Sequence, residues 1–224
     1  EFAGSNGGGL LGPDGRWRVD VPANREALAL MADLIHDHRV SPPNTFATLR
    51  EEEVRAWFQR GQALFARNWP YAWSLHQSAE SPVAGKVGIA PLPHFPGGES
   101  VATLGGWHVA VSASSDAPDA SWALVKYITS RAVQKRLALR LGWNPGRRDV
   151  YRDPDVLAAL PHFADLEQVF THARPRPNVP YYTAASEILQ RELNAVLAGR
   201  RTPAEGLAAA QAQIEAVADR YRTP

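Results

Sequence analysis

The chain has 224 residues, 24 basic and 23 acidic side chains for a formal net charge of +1, and no cysteine. Charges of both signs are interspersed, so there is no electrostatic footprint for nucleic acid, and without cysteine there are no disulfides, thiol nucleophiles or cysteine-based metal sites. No apolar run is long enough to span a bilayer, no basic region followed by an apolar stretch marks an export signal, and the first residues read as the middle of a longer chain.

The chain opens on Ser5-Asn6-Gly7-Gly8-Gly9, which lacks the Gly-x-x-x-x-Gly-Lys spacing that cradles phosphate and is expected to be a plain loop. Gly12-Pro13-Asp14-Gly15 is turn chemistry, and the alternation from Arg16 to Val21 predicts a short strand. A helix from Pro22 to about His38 places Leu28, Met31, Leu34 and Ile35 on one face. Its His36 and His38 are two apart and do not share a face, which argues against a metal site. Ser41-Pro42-Pro43 ends that helix. Thr48-Leu49-Arg50-Glu51 has the spacing of a capping box, opening a helix with Val54, Trp57 and Phe58 inward and Gly61 at its C-terminal cap.

Ala63 to Ala66 alternates like a short strand and runs into Arg67-Asn68-Trp69-Pro70-Tyr71-Ala72-Trp73. Proline suits the first turn of a new helix, because its missing N–H has no helical partner there, so large flat side chains sit at an element boundary. That helix is expected from near Pro70 to before Ser81-Pro82. Lys86 to Ala90 is the next strand candidate, and Trp107, Val109 and Val111 share one face of another. Before it, Gly105 and Gly106 permit close backbone approach. Helices follow near Pro118 to Ile128 and Ser130 to Leu141, the second closed by Gly142, with a short one around Val156 to Leu160. A long helix runs from Tyr181 or Tyr182 to Ala198. Thr202-Pro203-Ala204-Glu205 is a second capping box, opening a last helix with Leu207, Ile214, Val217 and Tyr221 inward. Arg147-Arg148 and Arg200-Arg201 read as solvated surface. The order is α/β or α+β, with too few strands for a self-sufficient sheet.

Asn68-Trp69-Pro70-Tyr71-Ala72-Trp73-Ser74 resembles the signature that follows a strand in the carbohydrate-binding proteins of ABC importers, the maltose and trehalose receptors in particular. Ser5 to Gly9, Ser81 to Pro93, Leu104 to His108 and Arg174 to Tyr182 resemble the same family in the same order. The resemblance implies an α/β, periplasmic-binding-protein-like fold of two lobes joined by a hinge, present as its C-terminal part only. Residues 1–93 and 150–224 would belong to the C-terminal lobe, and 94–149 would return to the N-terminal lobe through the hinge. The missing N-terminal half would come from the same protein or a separate chain. Strands without their sheet partners would then expose unpaired backbone and apolar faces.

The resemblance also implies a small sugar as ligand, the permease subunits of a membrane transporter as partners, and a periplasmic or extracellular location with anchoring through the absent N-terminal region. No metal or organic cofactor is implied. Sugars present C–H patches that pack on aromatic faces and hydroxyls that need directed donors and acceptors. Trp69 and Tyr71 are the expected stacking rings, while Trp73, a turn further on, serves either cleft or core. Gly106 and Trp107 resemble a backbone group and a ring of the family's site. Arg176, and after it Arg174, resembles the arginine that reaches sugar hydroxyls, its planar fork suiting paired oxygens. Tyr182 starts the final long helix close by. Two other functions compete: a truncated or split relative acting as a protein-interaction module, and a glycan hydrolase. The hydrolase needs two facing carboxylates, and Asp153 and Asp155 are better explained by helix capping.

Overall fold

The computed structural model describes residues 1–221. Helices α1 (Phe2–Ser5), α2 (Pro22–His36), α3 (Glu51–Gln59) and α4 (Ala72–His76) precede a two-residue strand, β1 (Ala102–Thr103). Five helices follow: α5 (Pro118–Ile128), α6 (Arg131–Leu141), α7 (Arg148–Tyr151), α8 (Pro154–Ala159) and α9 (Phe163–Thr171). Then come β2 (Ala173–Arg174) and the long helices α10 (Tyr182–Leu197) and α11 (Pro203–Arg220). β1 and β2 pair in parallel, Ala102 opposite Ala173 and Thr103 opposite Arg174. The chain divides into two compact units, one of Glu1–Arg50, Leu92–Thr103 and the chain from Ala173 onward, the other of Glu51–Pro91 and Leu104–His172. These units follow the packing within this chain. The assignment of 1–93, 94–149 and 150–224 to the lobes of a larger receptor is a separate proposal.

The first unit is built on α2, α10 and α11. Leu28 and Ile35 of α2 meet Ile188, Leu189 and Val196 of α10 and Leu207, Ala210 and Ile214 of α11, with Trp17 and Val19 in the same core. α10 stops at Gly199, whose φ of 70° is left-handed. There the amide of Gly199 donates to the Val196 carbonyl and that of Arg200 to Ala195, which satisfies two end carbonyls. The capping box at Thr202 and Glu205 forms as expected and starts α11. Glu192 is buried, and accepts from Gln213 at 3.0 Å and from Arg201 at 2.5 Å. Arg201 is therefore a partner of a buried carboxylate, not one of two freely solvated charges. Tyr221, expected inward, is exposed, and its ring lies 5.0 Å from that of Tyr181.

The glycine-rich opening is a loop folded on the buried side chain of Asn24, which accepts from the Gly9 amide at 3.0 Å and donates to the Gly9 carbonyl at 2.7 Å. The strand expected from Arg16 to Val21 is reduced to a single bridge between Leu11 and Trp17. The reason is that a side chain takes the place of a neighbouring strand. Gln211 of α11 accepts from the Val19 amide at 2.6 Å and donates to the Trp17 carbonyl at 2.9 Å.

The second unit has a smaller core of Ala138, Val150, Tyr151, Val156, Phe163 and Leu166, drawn from α6, α7, α8 and α9. Gly142, at φ 66°, closes α6 as predicted. Asp153 caps α8, accepting from the amides of Asp155 at 3.0 Å and Val156 at 3.4 Å. It also pairs with Lys135 at 2.8 Å and with Arg131. α3 ends in the cap expected at Gly61, with φ 70° and the Gln62 amide donating to the Trp57 carbonyl. Its start differs from expectation. Helix α3 begins at Glu51 itself, so Thr48 is not at the capping position, and its hydroxyl accepts from Asn44 at 2.9 Å. Val54, Trp57 and Phe58 are half-buried, not core. α4 has only five residues, and the short α7 and α9 were not anticipated.

The strands expected at 63–66, 86–90 and 107–111 form no ladder among the described residues. A ladder forms only where a neighbouring strand offers its own N–H and C=O groups, and among the described residues none of these stretches has such a neighbour. The first and third are correspondingly open, with Leu64 at 83%, Phe65 at 86% and Trp107 at 101% exposure, whereas Ile89 of the second packs against the core of its unit.

Candidate ligand-binding site

The aromatic turn is fixed by its first polar residue. The Asn68 carboxamide accepts from the Trp69 amide at 2.7 Å and donates to the Glu51 carbonyl at 2.8 Å, so it ties the turn to the start of α3. Pro70 then rigidifies the approach to α4, with the Ala72 amide donating to Trp69 and that of Trp73 to Pro70, both at 3.1 Å. Trp69 presents a half-buried ring. The Arg67 guanidinium carbon lies 4.9 Å from its centroid, a cation–π contact. The indole edge also rests on Gly105, where a Cβ would come within 2.7 Å of the ring's Cη2. Gly105 therefore makes the close approach that the glycine pair promised, whereas a Cβ on Gly106 would meet nothing within 4 Å.

Tyr71 donates its hydroxyl to the Glu52 carboxylate. Burial, and then this carboxylate, push the phenol up to about 12, while the Tyr71 hydrogen bond and Arg55 hold Glu52 below the usual glutamate range. Trp73 points elsewhere. Its ring lies 4.7 Å from that of the buried His162, which in turn meets Phe163 edge-on at 5.0 Å. Burial drives the His162 imidazole down to about 4, and its Nδ1 has no hydrogen-bond partner. His76, at the end of α4, is a second buried imidazole with an unpartnered Nδ1, and its ring sits 5.0 Å from Phe58.

In the first unit, Arg174 lies on β2 and pairs with Glu99. Arg176, two residues on, is exposed. The hydroxyl of Tyr181 accepts from the Trp17 indole at 3.1 Å, which commits that ring to the core. Tyr182, the first residue of α10, is the member of the pair left half-buried and uncommitted by such a bond. The second unit thus brings together Trp69 and Tyr71 with the Gly105 backbone next to Gly106 and Trp107, while Arg174, Arg176 and Tyr182 belong to the first. Glu52 and Asn68 were missed as holders of the turn. The run Glu51-Glu52-Glu53 reads as acids favoured at a helix N-terminus, which hides a specific bond.

The model of the bacterial extracellular solute-binding protein family matches residues 1–135. The chain belongs to that family. It is 38% identical to a probable ABC transporter-binding protein of Deinococcus radiodurans, over 98% of this chain and 53% of that protein. It is similar to the maltose-bound MalE3 of T. maritima, at 41% identity and a TM-score of 0.91, covering 97% of this chain and 56% of that one. It is also similar to an ABC transporter solute-binding protein of Thermotoga lettingae bound with alpha-D-tagatose, at 29% identity and a TM-score of 0.85, covering 95% and 54%. This solute-binding protein chain spans about half the length of the relatives it matches. Its fold is the two-lobe α/β fold of the periplasmic binding proteins, carried here in part, as the sequence motifs implied.

Proposed function

We propose that the chain provides ligand-binding elements of the substrate-binding component of an ABC importer for a sugar, with trehalose, maltose or a related α-glucoside as the substrate class. The observation that carries this reading is the Trp69 ring, propped by Arg67 and by the Gly105 backbone, beside Tyr71 and in one unit with the open Trp107. Flat rings held in a fixed attitude suit the C–H faces of a sugar. The likeness to a maltose-bound structure supports the choice of ligand class. Trp69 and Tyr71 stack, Trp107 adds a ring and Gly106 a backbone group. Arg176 supplies the donor fork, ahead of Arg174, whose guanidinium is already paired with Glu99. Tyr182 contributes at the start of α10, and Trp73 is secondary because it packs on His162.

Capture is reversible and needs no covalent step, metal or organic cofactor. Asp153 is committed to its cap and its two cations, which disfavours a hydrolase. The loaded receptor hands its sugar to the membrane permease subunits, in the periplasm or outside the cell, held near the membrane through an N-terminal region. The rest of the two-lobe fold comes from the same protein or a separate chain. The test is a tryptophan-fluorescence titration with maltose and trehalose, on this chain alone and joined to an N-terminal half. A saturable change that Trp69→Ala abolishes is expected. No change with either sugar in a folded joined protein rules the reading out.

A further inference from the structure

Two polar links run from the first turn of α3 to the aromatic turn, and a third runs from the last residue of α3, Gln59, to α4 behind it. The Glu51 carbonyl accepts from Asn68 at 2.8 Å, and the Glu52 carboxylate accepts from the Tyr71 hydroxyl. The other Glu52 oxygen is held by the Arg55 Nε at 2.8 Å. Arg55 reaches on to Gln59 at 2.6 Å, and Gln59 donates to the Leu75 carbonyl on α4 at 3.3 Å. A glutamate in the first turn of a helix is ordinarily a solvated charge favoured by the helix end. Here both carboxylate oxygens are engaged, one by a phenol nineteen residues away in sequence.

We propose that Glu52 is a positioning residue, clasping Tyr71 so that the rings of the aromatic turn are set before ligand arrives. The inference rests on the reading of that turn as a sugar-binding element for its effect on affinity, but not for the clasp itself. Glu52 itself need not touch the sugar. Without it, the Tyr71 hydroxyl turns to water in place of a fixed protein acceptor, and its ring and the adjoining Pro70-Trp69 segment gain alternative orientations. Ordering a ring on binding costs affinity that a preset ring does not.

The test uses the chain labelled with fluorotryptophan, whose seven tryptophans give resolvable fluorine resonances, Trp69 being assigned by its loss in Trp69→Phe. In Glu52→Ala the Trp69 resonance is expected to move or broaden while those of Trp17 and Trp122 stay in place. Glu52→Gln, which keeps an acceptor for the phenol, is expected to restore it. Maltose and trehalose affinities should follow, about tenfold weaker in Glu52→Ala and recovered in Glu52→Gln. Glu52→Ala should add nothing on a Tyr71→Phe background, the mark of a shared interaction. An unmoved Trp69 resonance in Glu52→Ala overturns the clasp, as does an equal disturbance of all seven tryptophans, which marks general destabilisation. A Trp69 resonance that responds while the parent protein, with its N-terminal half, takes up neither sugar leaves the clasp standing and removes the sugar reading.

Discussion

The two units solve the same problem with different material. In the first, α2, α10 and α11 satisfy their own backbone groups and turn one face each into a shared core, so the unit closes on itself. The second unit has a core of the same kind around Phe163 and Val150, but it also carries extended stretches at 63–66, 86–90 and 107–111 that no strand pairs. Its helix α5 buries none of its residues and leaves Trp122, Leu124 and Tyr127 open to water. Helices are locally complete, whereas strands become stable only in company. The chain spans about half the length of the relatives it matches, and the segments left without pairing partners are the extended ones, not the helices.

That contrast can be broken at several points. The largest effect is expected at Phe163, which is fully buried in the only core the second unit has among the described residues. Phe163→Ala should cost about 3–5 kcal/mol, and urea unfolding followed by circular dichroism should show the loss as an earlier transition. A comparable loss from Trp122→Ala would mean that α5 is better packed than its exposure implies.

Next is the acid response of the second unit. His162 is neutral when folded because burial lowers its pKa from 6.5 to about 4, with Asp165 opposing the shift. As pH falls, the unfolded chain takes up that proton first. Stability present above about pH 6.5 is then lost between there and about pH 4, by roughly 3 kcal/mol. His76 is shifted in the same direction by burial and by Arg55. Replacing His162 by Phe keeps a ring against Trp73 and should flatten that part of the pH profile of thermal unfolding. An unchanged profile would place the acid sensitivity elsewhere.

In the first unit, Glu192→Ala removes the acceptor of Gln213 and Arg201 between α10 and α11. Arg201 and Arg191, which also pairs with Glu192 at 3.2 Å, can return to solvent, so a cost of about 1–3 kcal/mol is expected, with the thermal midpoint as readout. The smallest effect belongs to the open stretch. Phe65→Ser should change stability by no more than about 0.5 kcal/mol and should reduce self-association in sedimentation. A large destabilisation there would show that the segment packs in solution.

The same contrast governs what could be read beforehand. Caps were legible because their chemistry is local: Gly142, Asp153 and the Thr202-Glu205 box each act within four residues. The Thr48 box failed although its spacing was right, because the helix starts three residues later and Asn44 takes the hydroxyl. Strand signals failed because alternation says what a segment could pair with, not whether a partner is there. In the aromatic turn, Trp69 and Tyr71 stand out in the sequence itself, whereas the bond that holds Tyr181 comes from Trp17, distant in sequence, and could not be read there. Glu52 was hidden for the same reason, its bond to Tyr71 spanning nineteen residues.

Gly105 has a wider meaning than close packing. By lacking a side chain it acts as a depth stop for the Trp69 indole, whose edge seats where a methyl group would otherwise stand. Alanine at 105 would lift the ring without altering its chemistry, its neighbours in sequence or the proline that follows it. The height at which the aromatic platform stands is thus set from a distant stretch of chain, in steps as small as one carbon atom.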